Sequence, residues 1–352
     1  MHVALGEYKP KHSFADFGLN KTLEGNLTRI GFTIPTRIQD EAIPHILKQK
    51  DVIGLANTGS GKTAAFALPI IQKLHARKSG ETALIMAPTR ELAGQINDEL
   101  TKFAHGLRVY SALCVGGMPI GKQIRELTRH PHVIIGTPGR LKDLVNRKAL
   151  SLDSVSILVL DEFDRMLDMG FIKDIEFLIG KIPKNRQSLC FSATITPDIK
   201  KILEKILNEP VTVSVTSSVR SEHIAQDVIR AHSKEEKFAK LKEMLAHSAF
   251  EKVLIFGEMK RSVQKLADAL SKEGFKAEAI HGNKSQPQRD RALRAFRDGK
   301  VNILVATDVA ARGLDIPNVS HVINFDQPNT REDYIHRIGR TGRAGKGGQA
   351  YT

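Results

Sequence analysis

Two α/β domains in tandem, each a mostly parallel sheet with helices on both faces, are the fold this chain's pattern predicts. Three observations carry that expectation. Short aliphatic runs alternate with helix-periodic segments almost without exception, the alternation restarts after residue 210, and 352 residues exceed what one ordinary core organises. The runs are continuous in apolar character, as strands covered on both faces are.

In chain order, strands are expected at 51–56 (DVIGLA), 83–87 (ALIMA), 109–115 (VYSALCV), 132–136 (HVIIG), 156–160 (SILVL) and 188–192 (SLCFS). A second series follows at 253–257 (VLIFG), 277–281 (AEAIH), 303–307 (ILVAT) and 321–325 (HVINF), with helical segments between. The polar, serine-bearing stretch VTVSVTSSVRSEH separates the two series. The expected organisation is therefore a first domain at 1–210, a linker at 211–222 and a second domain at 223–352.

Lys plus Arg is 53 against 39 Asp plus Glu, a formal charge of +14. Residues 1–210 hold 29 basic and 22 acidic side chains and residues 211–352 hold 24 and 17, so each half carries +7 and both suit a polyanion. The two cysteines, Cys114 and Cys190, lie in separate apolar runs, which favours buried thiols over a disulfide or a metal pair. Neither a signal peptide nor an apolar run of membrane-spanning length is read, so a reducing cytoplasm is the expected setting.

Chemistry gathers at the carboxyl ends of the expected strands, where open α/β sheets bind ligands. The first strand runs into Asn57-Thr58-Gly59-Ser60-Gly61-Lys62-Thr63 and then an apolar helix, the order of a phosphate-binding loop. Backbone N–H groups of Gly59 to Thr63 can cradle phosphates, Lys62 can reach the β and γ phosphates, and Thr63 can offer a hydroxyl to Mg²⁺. The generic pattern's first Gly is Ala56 here. The run Ile157 to Leu160 ends in Asp161, Glu162 and Asp164, of which Asp161 suits the metal's shell, mostly through water. Together these motifs propose an NTPase that uses ATP and Mg²⁺.

Pro88-Thr89-Arg90-Glu91, Thr137-Pro138-Gly139-Arg140, Ser192-Ala193-Thr194 and Thr307-Asp308 close other strands. These also read as turns and helix caps, and both readings can hold, because an exposed helix N-terminus is a phosphate site. The second domain lacks a nucleotide loop of its own. Instead, His336-Arg337-Ile338-Gly339-Arg340-Thr341-Gly342-Arg343 spaces three arginines by three, able to aim guanidinium groups at one place, where they would stabilise charge on a transferred phosphoryl group.

With these residues in order, nearly the whole chain resembles a DEAD-box RNA helicase of helicase superfamily 2, a family of two RecA-like domains. Phe14, then Gly31-Phe32-Thr33-Ile34-Pro35-Thr36-Arg37-Ile38-Gln39, resembles the family's Q motif, and the series continues through ANTGSGKT, PTREL, Gly116-Gly117, TPGR, the acidic box, SAT, the Gln286 to Arg289 pair, ATDVAARGLD and HRIGRTGR. The stretch HGNKSQPQRDRAL resembles bacterial RhlE-like members.

The resemblance implies roles residue by residue. Phe32 would stack on adenine, Gln39 would bond its edge, and Arg37, Thr58, Gly59, Ser60, Gly61, Lys62, Thr63 and Asp315 would complete the nucleotide contacts. Glu162 would orient or activate water; Asp161 and Thr63 would hold Mg²⁺; Arg340 and Arg343 would be arginine fingers, with His336 beside them. Asp164, Ser192 and Thr194 would couple hydrolysis to strand separation. Thr89, Arg90, Gly117, Thr137, Arg140, Arg289, Thr307 and Asp308 would meet RNA phosphates and sugars, independent of sequence. The implied mechanism is local: ATP and RNA together close the domains over a cleft by a hinge near 211–222, one strand is bent away from its partner, and hydrolysis reopens the clamp. A monomer is expected.

Two departures stand out. Phe163 replaces the family's usual Ala, giving DEFD, and Met259 stands where Thr is common. The chain stops at Gln349-Ala350-Tyr351-Thr352, early in what the family pattern makes another strand, so a truncated core is expected. Spacing alone equally allows single-stranded DNA as the polymer, and Phe163 leaves room for an RNA clamp that binds ATP without useful unwinding.

Overall fold

The computed structural model describes residues 8–57, 59–76, 80–215, 224–247, 249–311, 319–342 and 347–352. They fall into two compact units, Met1–Thr216 and Ser217–Thr352.

In the first domain, a 3₁₀ turn (Phe14–Phe17) and helices α1 (Lys21–Arg29) and α2 (Arg37–Leu47) precede the sheet. The strands are β1 (Val52–Leu55), β2 (Thr82–Met86), β3 (Ser111–Cys114), β4 (Val133–Gly136), β5 (Val155–Asp161), β6 (Gln187–Ser192) and β7 (Val211–Ser214). Helices α3 (Lys62–Ala76), α4 (Arg90–Phe103), α5 (Ile120–Leu127), α6 (Pro138–Asn146), α7 (Phe163–Asp168), α8 (Ile172–Ile179) and α9 (Pro197–Leu203) lie between them. The strand order is β3-β4-β2-β5-β6-β1-β7 and the neighbours pair in parallel. Successive side chains of a strand face opposite ways, so one apolar run feeds two cores. In β5, Ile157 and Val159 join Phe66 and Phe191 on one face, while Leu158 and Leu160 join Leu141, Met166 and Cys190 on the other. Phe163 is fully buried in that second core.

The second domain comprises β8 (Ile224–Asp227), α10 (Lys234–Ala246), β9 (Val253–Phe256), α11 (Lys260–Lys272), β10 (Ala277–Ile280), α12 (Gln286–Arg297), β11 (Ile303–Ala306), α13 (Asp308–Ala311), β12 (His321–Asn324), α14 (Arg331–Ile338) and β13 (Gly348–Tyr351). Its order is β10-β11-β9-β12-β13-β8, again parallel. Numbered from each domain's own first strand, both sheets read 3-4-2-5-6-1, with β7 added at the edge of the first.

The structure corrects the sequence reading in two places. Residues 211–214, expected as linker, form β7 beside β1, with Val52 opposite Val211 and Val213 buried, because a β-branched pair at alternate positions fits a half-covered edge. Of the rest of that linker, residues 216–222 lie outside the described residues. Strand β8 was not anticipated, since Ile224 is its one buried residue and an exposed edge strand carries little hydrophobic pattern. Strand β13 pairs with both β12 and β8. Among the described residues no helix is long and apolar enough to cross a membrane.

Candidate active site

The order β5-β6-β1 places the ends of three neighbouring strands side by side, and the chemistry expected of the first domain assembles there. After β1 the chain turns through Gly59 and Gly61, both at positive φ, and α3 begins at Lys62. Gly61 (φ 95°) has no room for a side chain: a Cβ there would lie 2.4 Å from Gln39 Nε2. Lys62 is 6 % exposed, its ammonium has no hydrogen-bond partner among the described residues, and Asp161 Oδ1 is 4.0 Å away. A buried, unbonded ammonium is costly unless an anion is due there. Burial pushes the Asp161 carboxyl up to about 6, against the opposing pull of Lys62. The Ser60 hydroxyl is likewise buried without a partner among the described residues. Thr63 is half-buried on the first turn of α3.

Glu162 follows at φ 52°, ψ 53°, a left-handed conformation that a non-glycine residue adopts at a cost of order 1–3 kcal/mol. The strain turns the chain sharply from β5 into α7 and sets Glu162 at the helix start, 3 % exposed. Arg165, one turn on and equally buried, brings Nε to 3.6 Å from Glu162 Oε2. Asp164 binds the end of β6: its Oδ2 accepts from Ala193 N–H (3.0 Å), Thr194 N–H (3.0 Å) and the Thr194 hydroxyl (3.2 Å). Its own N–H donates to Ser192 Oγ at 3.3 Å, and the Ser192 hydroxyl donates to Thr194 O at 2.7 Å. Asp164, Ser192 and Thr194 are thus one hydrogen-bonded unit adjoining Glu162.

On the Q-motif side, Phe32 is half-buried, with ring centroids 6.1 Å from Phe14 and 5.5 Å, edge-on, from Phe103. Gln39 is 2 % exposed; its carbonyl accepts from Thr36 N–H (2.9 Å) and its amide donates to Gly61 O (3.1 Å). The side chain thus ties α2 to the glycine loop. Arg37 donates to Glu41 at 2.7 Å.

The order β3-β4-β2 brings a second group together. Thr89 caps α4 by accepting from Leu92 N–H, and Thr137 is the residue before α6, so both expected RNA contacts sit at helix N-termini. Arg90 packs on Gly116-Gly117: at Gly117 (φ 75°) a Cβ would lie 2.0 Å from Arg90 Nη1. Arg140 donates to Met118 O at 3.3 Å.

In the second domain, Thr307 follows β11, Asp308 begins α13, and Arg289 is buried on α12. Of the three arginines expected to converge, Arg337 is engaged within its own domain. Arg337 turns inward, 2 % exposed, with Nε and Nη2 donating to the Asp308 carboxylate at 2.7 and 2.6 Å and Nη1 to Asp326 O at 2.6 Å. The buried guanidinium pairs with the half-buried Asp308, engaging both of the carboxylate oxygens that were assigned to RNA. Arg340 is 2 % exposed just after α14, and His336 is half-buried within that helix. Thr58, Asp315 and Arg343 lie outside the described residues.

Sequence reading missed Arg165, whose i,i+3 spacing from Glu162 on a helix was the available signal. The Arg337–Asp308 pair left none, being set by tertiary packing alone.

Residues 36–202 match the family described as DEAD/DEAH box helicase, and residues 236–345 the helicase conserved C-terminal domain. The chain is 49 % identical to the DEAD-box ATP-dependent RNA helicase CshA of Geobacillus kaustophilus over 97 % of its own length and 73 % of that protein's. It is 47 % identical to the ATP-dependent RNA helicase CshA of Listeria monocytogenes over 96 % and 65 %, so it spans roughly two thirds of such relatives. Both carry the CshA name, not that of the RhlE-like group. Among solved structures, S. cerevisiae Dbp5 bound to RNA and ADP BeF3 superposes with a TM-score of 0.87 at 33 % identity, covering 96 % of this chain and 88 % of that one. Mss116 bound to ssRNA and UDP-BeF gives 0.87 at 31 % identity, over 97 % and 76 %. The chain belongs to the DEAD-box ATP-dependent RNA helicases.

Proposed function

We propose that this chain hydrolyses ATP when RNA is bound and uses the cycle to separate short RNA duplexes locally, without sequence preference. The observation that carries the reading is the Lys62 ammonium, buried and without a hydrogen-bond partner among the described residues, beside a buried Asp161 and the strained Glu162. The loop amides and Lys62 receive the phosphates. Glu162 orients the attacking water, and its fixed place at the start of α7 limits the reorganisation needed. Asp161 and Thr63 would hold Mg²⁺, which keeps much of its own water and needs few protein ligands. When bound, that ion neutralises charge on the phosphate oxygens. Arg340 and Arg343 stabilise charge on the transferred phosphoryl group, so turnover requires both domains. The Asp164–Ser192–Thr194 unit links the water-positioning strand to its neighbour and supports a coupling role.

The polymer is RNA, with Thr89, Arg90, Gly117, Thr137, Arg140, Arg289 and Thr307 on its backbone, and the acting species is a monomer. Cys114 and Cys190 are both buried free thiols, which supports a reducing cytoplasm. Phe163, the one residue that suggested a clamp without unwinding, is an ordinary core ring. ATP turnover measured alone, with single-stranded RNA and with single-stranded DNA, followed by strand release from a short RNA duplex, tests the reading. Stimulation by RNA well above DNA, with duplex release, is expected; equal stimulation by DNA would remove the RNA assignment, and turnover without release would remove the unwinding step.

A further inference from the structure

Asp40 follows Gln39 in the first turn of α2, and its side chain is 1 % exposed. Four donors from a segment about thirty residues upstream converge on that carboxylate: the Tyr8 hydroxyl, Lys11 N–H at 2.7 Å, His12 N–H at 3.1 Å and His12 Nδ1 at 2.7 Å. A buried carboxylate left without partners is strongly unfavourable, so these bonds hold residues 8–12 against α2.

The held segment touches the expected base pocket by three routes. The Arg37 guanidinium lies over the Tyr8 ring, 5.7 Å from its centroid. The His12 ring is 5.6 Å from Phe17, Phe17 is 6.0 Å from Phe14, and Phe14 is 6.1 Å from Phe32, all within the range of favourable ring pairs. Gln39, adjoining Asp40, ties the same helical turn to Gly61 of the phosphate loop.

We propose that Asp40 is a positioning residue for the nucleotide base: it clips residues 8–12 onto the first turn of α2, and the clip holds Phe32, Arg37 and Gln39 in their binding arrangement before ATP arrives. The inference rests on the reading of this edge as an ATP site. Its content is preorganisation, which lowers the ordering cost of binding and leaves the chemistry at Glu162 alone. Since two of the three routes run to Phe32 and Arg37, the clip acts chiefly on the base, and its loss falls on ATP more than on GTP.

The test is steady-state hydrolysis of ATP and of GTP, with saturating single-stranded RNA, by the parent, Asp40→Asn and Tyr8→Phe. An amide at position 40 keeps the size but loses acceptor capacity for donors that need it, so the KM for ATP should rise roughly tenfold with kcat nearly unchanged, and the preference for ATP over GTP should shrink. Tyr8→Phe removes one hydroxyl from a residue 40 % exposed. It should move KM the same way by about threefold, a fraction of one charge-assisted hydrogen bond, and it decides the matter should Asp40→Asn fail to fold. A parent-like KM and ATP preference in Tyr8→Phe and in folded Asp40→Asn would overturn the inference alone. So would an equal loss of kcat for both nucleotides with a lower melting temperature, the mark of a purely structural acid. Absence of ATP turnover in the parent would bring down the ATP-site reading as well.

Discussion

The two domains share one strand order, yet they treat the helix that follows the first strand differently. Strand β1 leads through Gly59 and Gly61 into a helix whose first residue, Lys62, has a buried ammonium with no hydrogen-bond partner among the described residues. Its counterpart β8 leads to Ser233, which caps α10 by accepting from Glu236 N–H at 3.0 Å, while the Glu236 carboxylate accepts from His232 N–H at 2.7 Å. The helix terminus that could hold phosphate in the second domain is filled by its own side chains. The fifth strands differ in the same sense. Asp161 at the end of β5 has Lys62 at 4.0 Å, whereas beyond β12 the Asp326 carboxylate accepts from Glu258 N–H at 2.9 Å and Arg337 reaches both Asn324 and Asp326 O. A binding site is where the fold leaves polar groups short of partners, and a scaffold is where it satisfies them.

Substitutions can break or sharpen that contrast. The largest effect is expected for Glu162→Gln, which keeps shape and removes charge: hydrolysis should fall by orders of magnitude while ATP still binds. Near-normal turnover in a single-turnover assay would take the water-positioning role from Glu162. Next comes Arg340→Ala, which should cost roughly 10³-fold in RNA-stimulated hydrolysis, the lower scale of an arginine finger, with little change in nucleotide affinity. A fragment of residues 1–216, which retains β7, should bind ATP and show no RNA-stimulated turnover; robust turnover by it would make the second domain dispensable for chemistry.

Two stability measurements then set the domains against each other. Arg337→Met strips the half-buried Asp308 of its bidentate partner and should destabilise the second domain by about 1.5–3 kcal/mol, read by chemical denaturation. A loss under about 1 kcal/mol would show that the pair is as weak as a surface one. Asp161→Asn should do the reverse, abolishing hydrolysis while stabilising the nucleotide-free, metal-free protein by something of order 1–3 kcal/mol at neutral pH. The sign follows from the direction of the shift. A carboxyl raised from 3.8 to about 6 binds its proton more readily when folded, so the parent loses stability as pH rises through that window. The advantage of Asp161→Asn should be complete above about pH 6 and gone below about 4. An Asp161→Asn protein less stable than the parent at pH 7 would mean that the carboxylate is well satisfied where it lies.

Much of this was legible in the chain. The continuous apolar runs marked ten strands because a doubly covered parallel strand has one pattern and few alternatives, and the glycine loop and acidic box announced themselves because phosphate chemistry demands particular residues in a fixed order. Phe163 was legible as an anomaly but not as a core residue, since whether a ring fits depends on the volume left by Leu141, Met166 and their neighbours. What the sequence by itself determined is the pair of α/β domains, the positions of Lys62, Asp161 and Glu162 at strand ends, and the family. The tertiary structure alone decided which polar groups are spent and which are spared: that Arg337 faces Asp308, that Gln39 reaches Gly61 O, that Asp40 gathers Tyr8, Lys11 and His12, and that 211–214 closes a sheet edge. Those are long-range pairings. Local patterning fixes which way a side chain faces, but its partner is fixed only by which elements the sheet order sets beside it.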